Sequence, residues 1–225
     1  MSRVVAVCVG RASVVESDRF KPVRTAFVKR PVEGPVRLTT LGFLGDEHVY
    51  EDHGGPDMAV LAYSIDHYPF WRELGIELPD AGALGENLTV TGLREDEVFL
   101  GDVYEVGSAV VQVCQPRSPC YKIAARYGRK DLAVRAQDSG RTGFLLRVLA
   151  EGDVAAGAEV RLRERGSAVS VAEAGRILHV DRRDLEGAQR VLEVAALGSS
   201  TRRKLESRLG TAPPRGLDTE RLFDR

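Results

Sequence analysis

Three cysteines offer thiol chemistry in this chain, and their settings differ. Cys8 lies inside the apolar run VVAVCV and Cys114 closes AVVQVC, where a thiol behaves as a small buried hydrophobe. Cys120 sits in QPRSPCYK (115–122), three residues after Arg117 and two before Lys122. Neighbouring cations stabilise a thiolate over a thiol. Pro116 removes a backbone donor and stops ladder pairing, while Pro119 holds Ser118 extended. The stretch therefore predicts a cysteine presented on a stiff, positively charged loop at the end of a strand. It serves there as a nucleophile or as a metal ligand. Residues 121–127, closed by Gly128, read as a short helix behind it.

The second such stretch is LGFLGDEHVYEDHGGPDMAV (41–60). Two glycines and a proline directly after His53 mark a tight loop, which puts an imidazole where it can move a proton or bind a ligand. The spacings Cys114/Cys120 and His48/His53 match no common zinc pattern, and there is no C-x-x-C. Cys120 with His53 has the residue types of a cysteine hydrolase but no local signature for one. Neither G-x-G-x-x-G nor G-x-x-x-x-G-K-[ST] occurs, which argues against a Rossmann or P-loop nucleotide site.

The elements that must position these residues follow from composition and pattern. The chain has 225 residues, 43% hydrophobic and 29% charged, with a net charge of −1, so no global field points to nucleic acid or an anionic membrane. Three cysteines do not make a disulfide framework, and the apolar runs are strand-sized, which together point to the cytoplasm. VVAVCV, TAFV, VRL, MAVLAY, NLTV, EVFL, VYEV, AVVQVC, FLLRVL and EVRLR, separated by turn residues, predict a barrel or strongly bent sheet over residues 1–165. Gly85-Glu86-Asn87 reads as a turn into one of these strands. Helices are expected at 64–74, from a Ser64 cap, and at 131–138. A helical region with a polar tail is expected over 166–225. It opens with the capping box Ser170-Val-Ala-Glu173, continues as an apolar stripe at 184–197, and ends with a basic helix at 200–209. Three short helices bury little alone and must pack on the sheet or on a partner chain.

In order along the chain, K-P-V-x-T-A-x-x-K (21–29), L-G-F-L-G-D (41–46), H-G-G-P-D (53–57), G-E-N-L (85–88) and Q-P-R-S-P-C-Y-K (115–122) resemble the MOSC domain. More narrowly they resemble the YiiM-type subfamily, whose C-terminal three-helix domain suits residues 167–209. His48-Val49 and Tyr121 depart from the usual residues of that subfamily. The resemblance implies an α+β protein, a β-barrel-rich domain with a three-helix appendage. It would bind the molybdenum cofactor, molybdopterin, independently of pyridoxal phosphate. It further implies Cys120 as the protein ligand to molybdenum. The implied activity is the two-electron reduction of N-hydroxylated purines and amidoximes to the amine or amidine. Lys21, Thr25, Lys29, Asn87, Arg117, Ser118, Lys122 and Arg141 are the expected contacts to the anionic cofactor, and His53 the expected proton donor. No flavin, haem or iron–sulfur motif is visible, so a separate NAD(P)H-dependent flavoprotein reductase is the expected electron donor, and a homodimer the expected assembly. The alternative reading is a carrier that holds the cofactor or a labile sulfur on Cys120.

Overall fold

The computed structural model describes residues 1–17, 19–49 and 54–211. The strands are β1 Arg3–Val9, β2 Ser13–Ser17, β3 Phe20–Thr25, β4 Arg30–Pro31, β5 Val36–Thr39, β6 Gly42–Phe43, β7 Val60–Ser64, β8 Leu88–Thr91, β9 Val103–Val106, β10 Ala109–Pro116, β11 Phe144–Ala150, β12 Gly152–Val154 and β13 Val160–Glu164. Eight of them form one sheet in the order β13-β9-β10-β11-β7-β8-β1-β4. Only β7 and β8 pair in parallel among these ladders.

The chain is α+β, as the motifs imply, but the expected barrel is not closed. β12-β5-β6 split off as a second sheet and β2-β3 as a hairpin, which leaves β13 and β4 as edges of the large sheet. The start of β1 and the approach to β13 meet at an isolated bridge between Arg3 and Glu159, where the Val4, Gly157 and Val160 N–H groups donate to the carbonyls of Ala158, Val4 and Ser2 at 2.9, 2.8 and 2.9 Å, short of a continuous ladder. Two expected strands are also absent for local reasons. The Thr25 hydroxyl accepts the Phe27 N–H at 3.1 Å, an ST-type turn that ends β3 before TAFV can extend. Within EVFL, the Asp102 carboxylate takes the N–H groups of Phe99 and Gly166 at 3.0 and 2.9 Å and turns the chain instead.

The helices are α1 Tyr68–Glu73, α2 Lys122–Tyr127, α3 Leu132–Ser139, α4 Val171–Gly175, α5 Leu185–Leu192 and α6 Ser199–Arg208. Ser64 caps as expected, but a 3-10 turn, Ile65–His67, comes first because an α-helix begun at Ile65 would need an N–H that Pro69 lacks. Ser170 accepts the Glu173 N–H at 3.0 Å, the predicted cap of α4. That helix then widens into one π turn, Arg176–Val180, in which the Asp181 N–H reaches the Arg176 carbonyl at 2.8 Å. The apolar stripe predicted to 197 stops as helix at Leu192. Arg202, from the basic stretch of α6, donates to the carbonyls of Leu192 and Val194 at 3.0 Å each. Its charge caps a neighbouring helix, which gives the basic stretch a structural task.

The helical segment docks on the sheet. Val7, Leu38, Val111 and Val113 from strands share one apolar cluster with Val171, Ile177, Ala188, Val191 and Leu205. A second cluster, with Phe27, Tyr63, Tyr68, Trp71, Leu84, Ile123 and Leu132, lies under α2. Each fully buried aliphatic such as Ile123 or Leu132 contributes about 1.5–3 kcal/mol.

Polar contacts fix the seam between sheet and helices. The Gly198 N–H donates to the Cys114 carbonyl at 2.9 Å, and the Ser200 and Thr201 hydroxyls donate to Gln115 Oε1 at 3.1 and 2.9 Å. Asp57 takes the Ser199 N–H at 2.8 Å and pairs with Arg147 at 2.8 Å. Burial alone would raise the Asp57 carboxyl. The Ser199 N–H and the Arg147 guanidinium outweigh it and hold the group below the usual carboxylate range. A depressed carboxyl stabilises the fold above its unfolded value and loses that contribution as pH falls. Asp57→Asn should therefore cost about 1–3 kcal/mol in urea unfolding at neutral pH. The gap to wild type should close as pH drops below 3.8, the reference carboxyl value.

Candidate functional site

β10 stops at Pro116, and the chain leaves it as Arg117–Cys120 before turning into α2. The loop is tied at both ends: the Arg117 N–H donates to the Gly143 carbonyl at 3.1 Å, and the Ile123 N–H to the Cys120 carbonyl at 3.2 Å. Gly128 closes α2 in the left-handed conformation, φ 64°. Of the three thiols, Cys8 and Cys114 are buried and Cys120 is half-buried. Burial pushes both Cys8 and Cys114 up to about 12, so neither is ionised near neutral pH.

Two cations flank Cys120 out of water. Arg117 and Lys122 are each only 7% exposed. Burial pushes the Arg117 guanidinium below its ordinary value, opposed by Cys120, Glu86 and Tyr63. Burial likewise lowers the Lys122 ammonium, opposed by Cys120 and reinforced by Arg117. One end of the guanidinium is placed: Nη2 donates to the Leu84 carbonyl at 2.8 Å, with the Phe27 ring 5.8 Å away. The other end is not. Nη1 is buried and has no hydrogen-bond partner among the described residues. An unmet donor on a buried cation is costly unless an anion completes it.

The opposite wall is the fully buried stretch 81–90. Its carbonyls face cations: Arg126 Nη1 donates to Gly82 and Ala83 at 2.7 and 3.0 Å, and the Tyr127 hydroxyl to Ala83 at 2.7 Å. Glu86 braces it from inside. Its carboxylate accepts from the Tyr68 hydroxyl at 2.5 Å, the Leu84 N–H at 2.8 Å and the Thr89 hydroxyl at 3.0 Å. Gly85 stands at φ +83°, and a Cβ there would lie 2.7 Å from the Phe27 ring, so the turn requires glycine.

The remaining expected residues are placed as follows. Ser118 shares a hydrogen bond with His179 Nε2 at 3.1 Å. Lys21 is exposed on β3, which packs against α2, and Thr25 is buried with its hydroxyl on the Phe27 N–H. Lys29 and Asn87 meet in a buried knot around Asp46. Lys29 Nζ contacts Asp46 Oδ2 at 2.6 Å and Oδ1 more closely still, Asn87 Nδ2 donates to Oδ2 at 2.8 Å, and the Gly10 N–H to Oδ1 at 2.7 Å. Asn87 also donates to the Cys8 carbonyl at 3.3 Å and accepts the Leu61 N–H at 3.2 Å. Arg141 stacks on Phe70, 4.3 Å from the ring centroid. His53 lies outside the described residues. Asp46, Glu86, Arg126 and His179 were not singled out from the sequence. Asp46 was detectable as the end of the LGFLGD motif, whereas His179 carries no local signal.

The MOSC domain profile matches residues 49–161, and that of the YiiM-like, 3-alpha helix domain matches 169–212. An uncharacterised protein YflK of Bacillus subtilis is 43% identical over 201 residues, 88% of this chain and 90% of that one. Protein YiiM of Escherichia coli is 41% identical over 188 residues, 82% and 84% of the two chains. A Gibberella moniliformis protein named "Reductase" is 39% identical over 147 residues; these are 64% of this chain but 26% of that protein. The crystal structure of YiiM from Geobacillus stearothermophilus superposes with a TM-score of 0.79 at 35% identity, covering 93% of this chain and all of the other.

Breaking the buried knot separates scaffold from site. Lys29→Met leaves the Asp46 charge buried and should cost about 3–5 kcal/mol in chemical unfolding. Lys29→Met with Asp46→Asn should recover part of that loss, because no lone charge remains and the amide oxygen still accepts one of the donors that Asp46 takes from Asn87 and Gly10.

Proposed function

Because the chain belongs to the MOSC family and carries the YiiM-like three-helix domain behind it, we propose that it is a molybdenum-cofactor-dependent reductase of N-hydroxylated compounds. What carries the reading is the buried Arg117 Nη1, without a partner among the described residues, on the same loop as a half-exposed thiol and beside a second buried cation. The donor set suits the cofactor: a soft thiolate for a metal already bound by sulfur, and fixed positive charge for an anionic pterin and its metal oxo groups. Kinship with a protein named a reductase points the same way.

In this reading Cys120 is the protein ligand to the metal, and Arg117 Nη1 with Lys122 holds the anionic groups around it. Lys21, on the strand packed against α2, and Arg141 on Phe70 would extend the cationic lining, and Thr25 would offer its hydroxyl to the same anion. Lys29 and Asn87 act at one remove, by fixing Asp46 and with it the approach of β8 to the site. When bound, the cofactor would supply the two electrons, received from a separate NAD(P)H-dependent flavoprotein reductase. Reduction of R–NH–OH to R–NH2 releases the oxygen as water and takes up two protons, and His53 donates one to the departing oxygen. Exclusion of bulk water at Arg117 strengthens each charge-assisted contact there.

The test is protein prepared in cells able to make the cofactor, assayed with 6-N-hydroxylaminopurine and an artificial reductant. Wild type should carry molybdenum and form the amine. Cys120→Ser should lose both, and Arg117→Met should lower turnover by about 100-fold, the usual order for removing a buried charge-stabilising donor. A metal-free wild-type protein, or full activity in Cys120→Ser, would refute the reading.

A further inference from the structure

Sixty-one residues beyond Ser118, the helical segment sends a side chain back to the cysteine loop. His179 Nε2 and Ser118 Oγ share a hydrogen bond at 3.1 Å, two residues before Cys120. His179 stands on the π turn Arg176–Val180, an arrangement found disproportionately at functional sites because its wider spacing re-aims a side chain. The turn is fixed from a third direction. Arg208, on α6, donates to the carbonyls of Ile177 and Leu178 at 2.6 and 2.8 Å, immediately before His179. Ile177 and Leu178 themselves are buried in the main apolar cluster. The histidine is thus delivered by a packed and capped element.

The same segment holds the strand on which the loop begins, through Gly198 to the Cys114 carbonyl and Thr201 to Gln115. The strand end before the loop and Ser118 within it are therefore referenced to the helical segment, while the Arg117 N–H is referenced to the sheet.

We propose that His179 is a positioning residue of the site: its hydrogen bond to Ser118 fixes the 117–120 loop, so that the three-helix segment sets the direction of the Cys120 sulfur. The functional consequence rests on Cys120 being the metal ligand, as read above. The positioning itself concerns this chain alone. Groups that orient a metal ligand through hydrogen bonds typically matter about 10–100-fold in affinity or activity when removed.

The test uses full-length apo-protein and iodoacetamide near neutral pH, with the alkylated cysteine identified by peptide mass spectrometry. Cys8 and Cys114 are buried with pKa values pushed up to about 12, so the rate reports Cys120. His179→Ala and Ser118→Ala should each speed alkylation by up to roughly tenfold, because a loop freed of one hydrogen bond opens more often and exposes the half-buried thiol, and the double variant no further, because both remove one interaction. His179→Gln, whose amide can restore the bond, should return most of the wild-type rate. His179→Phe, which keeps the ring volume, serves if the alanine variant loses its fold. In holo-protein the same variants should lower molybdenum affinity by about tenfold. Unchanged alkylation in folded His179→Ala or His179→Phe, or single effects that multiply in the double variant, would overturn the inference. A wild-type preparation without molybdenum would instead sink the functional reading and leave the alkylation result to decide this one.

Discussion

A guanidinium and an ammonium held out of water beside a sulfur are the constraint around which this molecule is arranged. Moving a cation from water into a protein interior costs several kcal/mol unless an anion or a full set of acceptors meets it. Among the described residues the Arg117 guanidinium has the Leu84 carbonyl as acceptor and an aromatic face at Phe27, and its Nη1 end is unmet. In the buried stretch 81–90, Glu86 braces the chain from within and Arg126 and Tyr127 hold its carbonyls from outside. Loosen that wall and Arg117 loses its one fixed contact. The fold thus keeps positive charge concentrated where an anionic group would complete it.

Around that site the chain distributes its polar motif residues between chemistry and scaffold. Lys29, Asp46 and Asn87 come from three separate motifs, yet they converge on one another and tie β1, β8 and the LGFLGD turn together. Asp57, from the HGGPD motif, joins the sheet to the first N–H of α6. A motif in one dimension marks what a fold must keep, and part of that is the frame on which a reacting group rides.

Much of this was legible in the sequence where the physics is local. The end of β10 at Pro116, the Ser170 cap of α4 and the turn at Gly85 each depend on neighbours a few residues away, and the structure has them. Barrel closure depends on which strand ends meet, and runs of β-branched residues do not carry that information. TAFV and EVFL have strand composition but lie beside Thr25 and Asp102, whose side chains compete for backbone N–H groups. The sequence marks 200–209 as a basic helix but does not show that Arg202 and Arg208 cap carbonyls on neighbouring turns. His179 was invisible because its partner is 61 residues away and its own surroundings read as ordinary helix.

The central claim is that Cys120 itself bonds the metal, and protection of that thiol tests it most directly. Protein loaded with the molybdenum cofactor and protein stripped of it would be exposed to iodoacetamide, and modification of Cys120 followed in parallel with metal content. The account predicts protection of Cys120 in proportion to bound molybdenum, with full reactivity regained on removal. Alkylation of Cys120 at the same rate in loaded and stripped protein, with the metal retained, would contradict it.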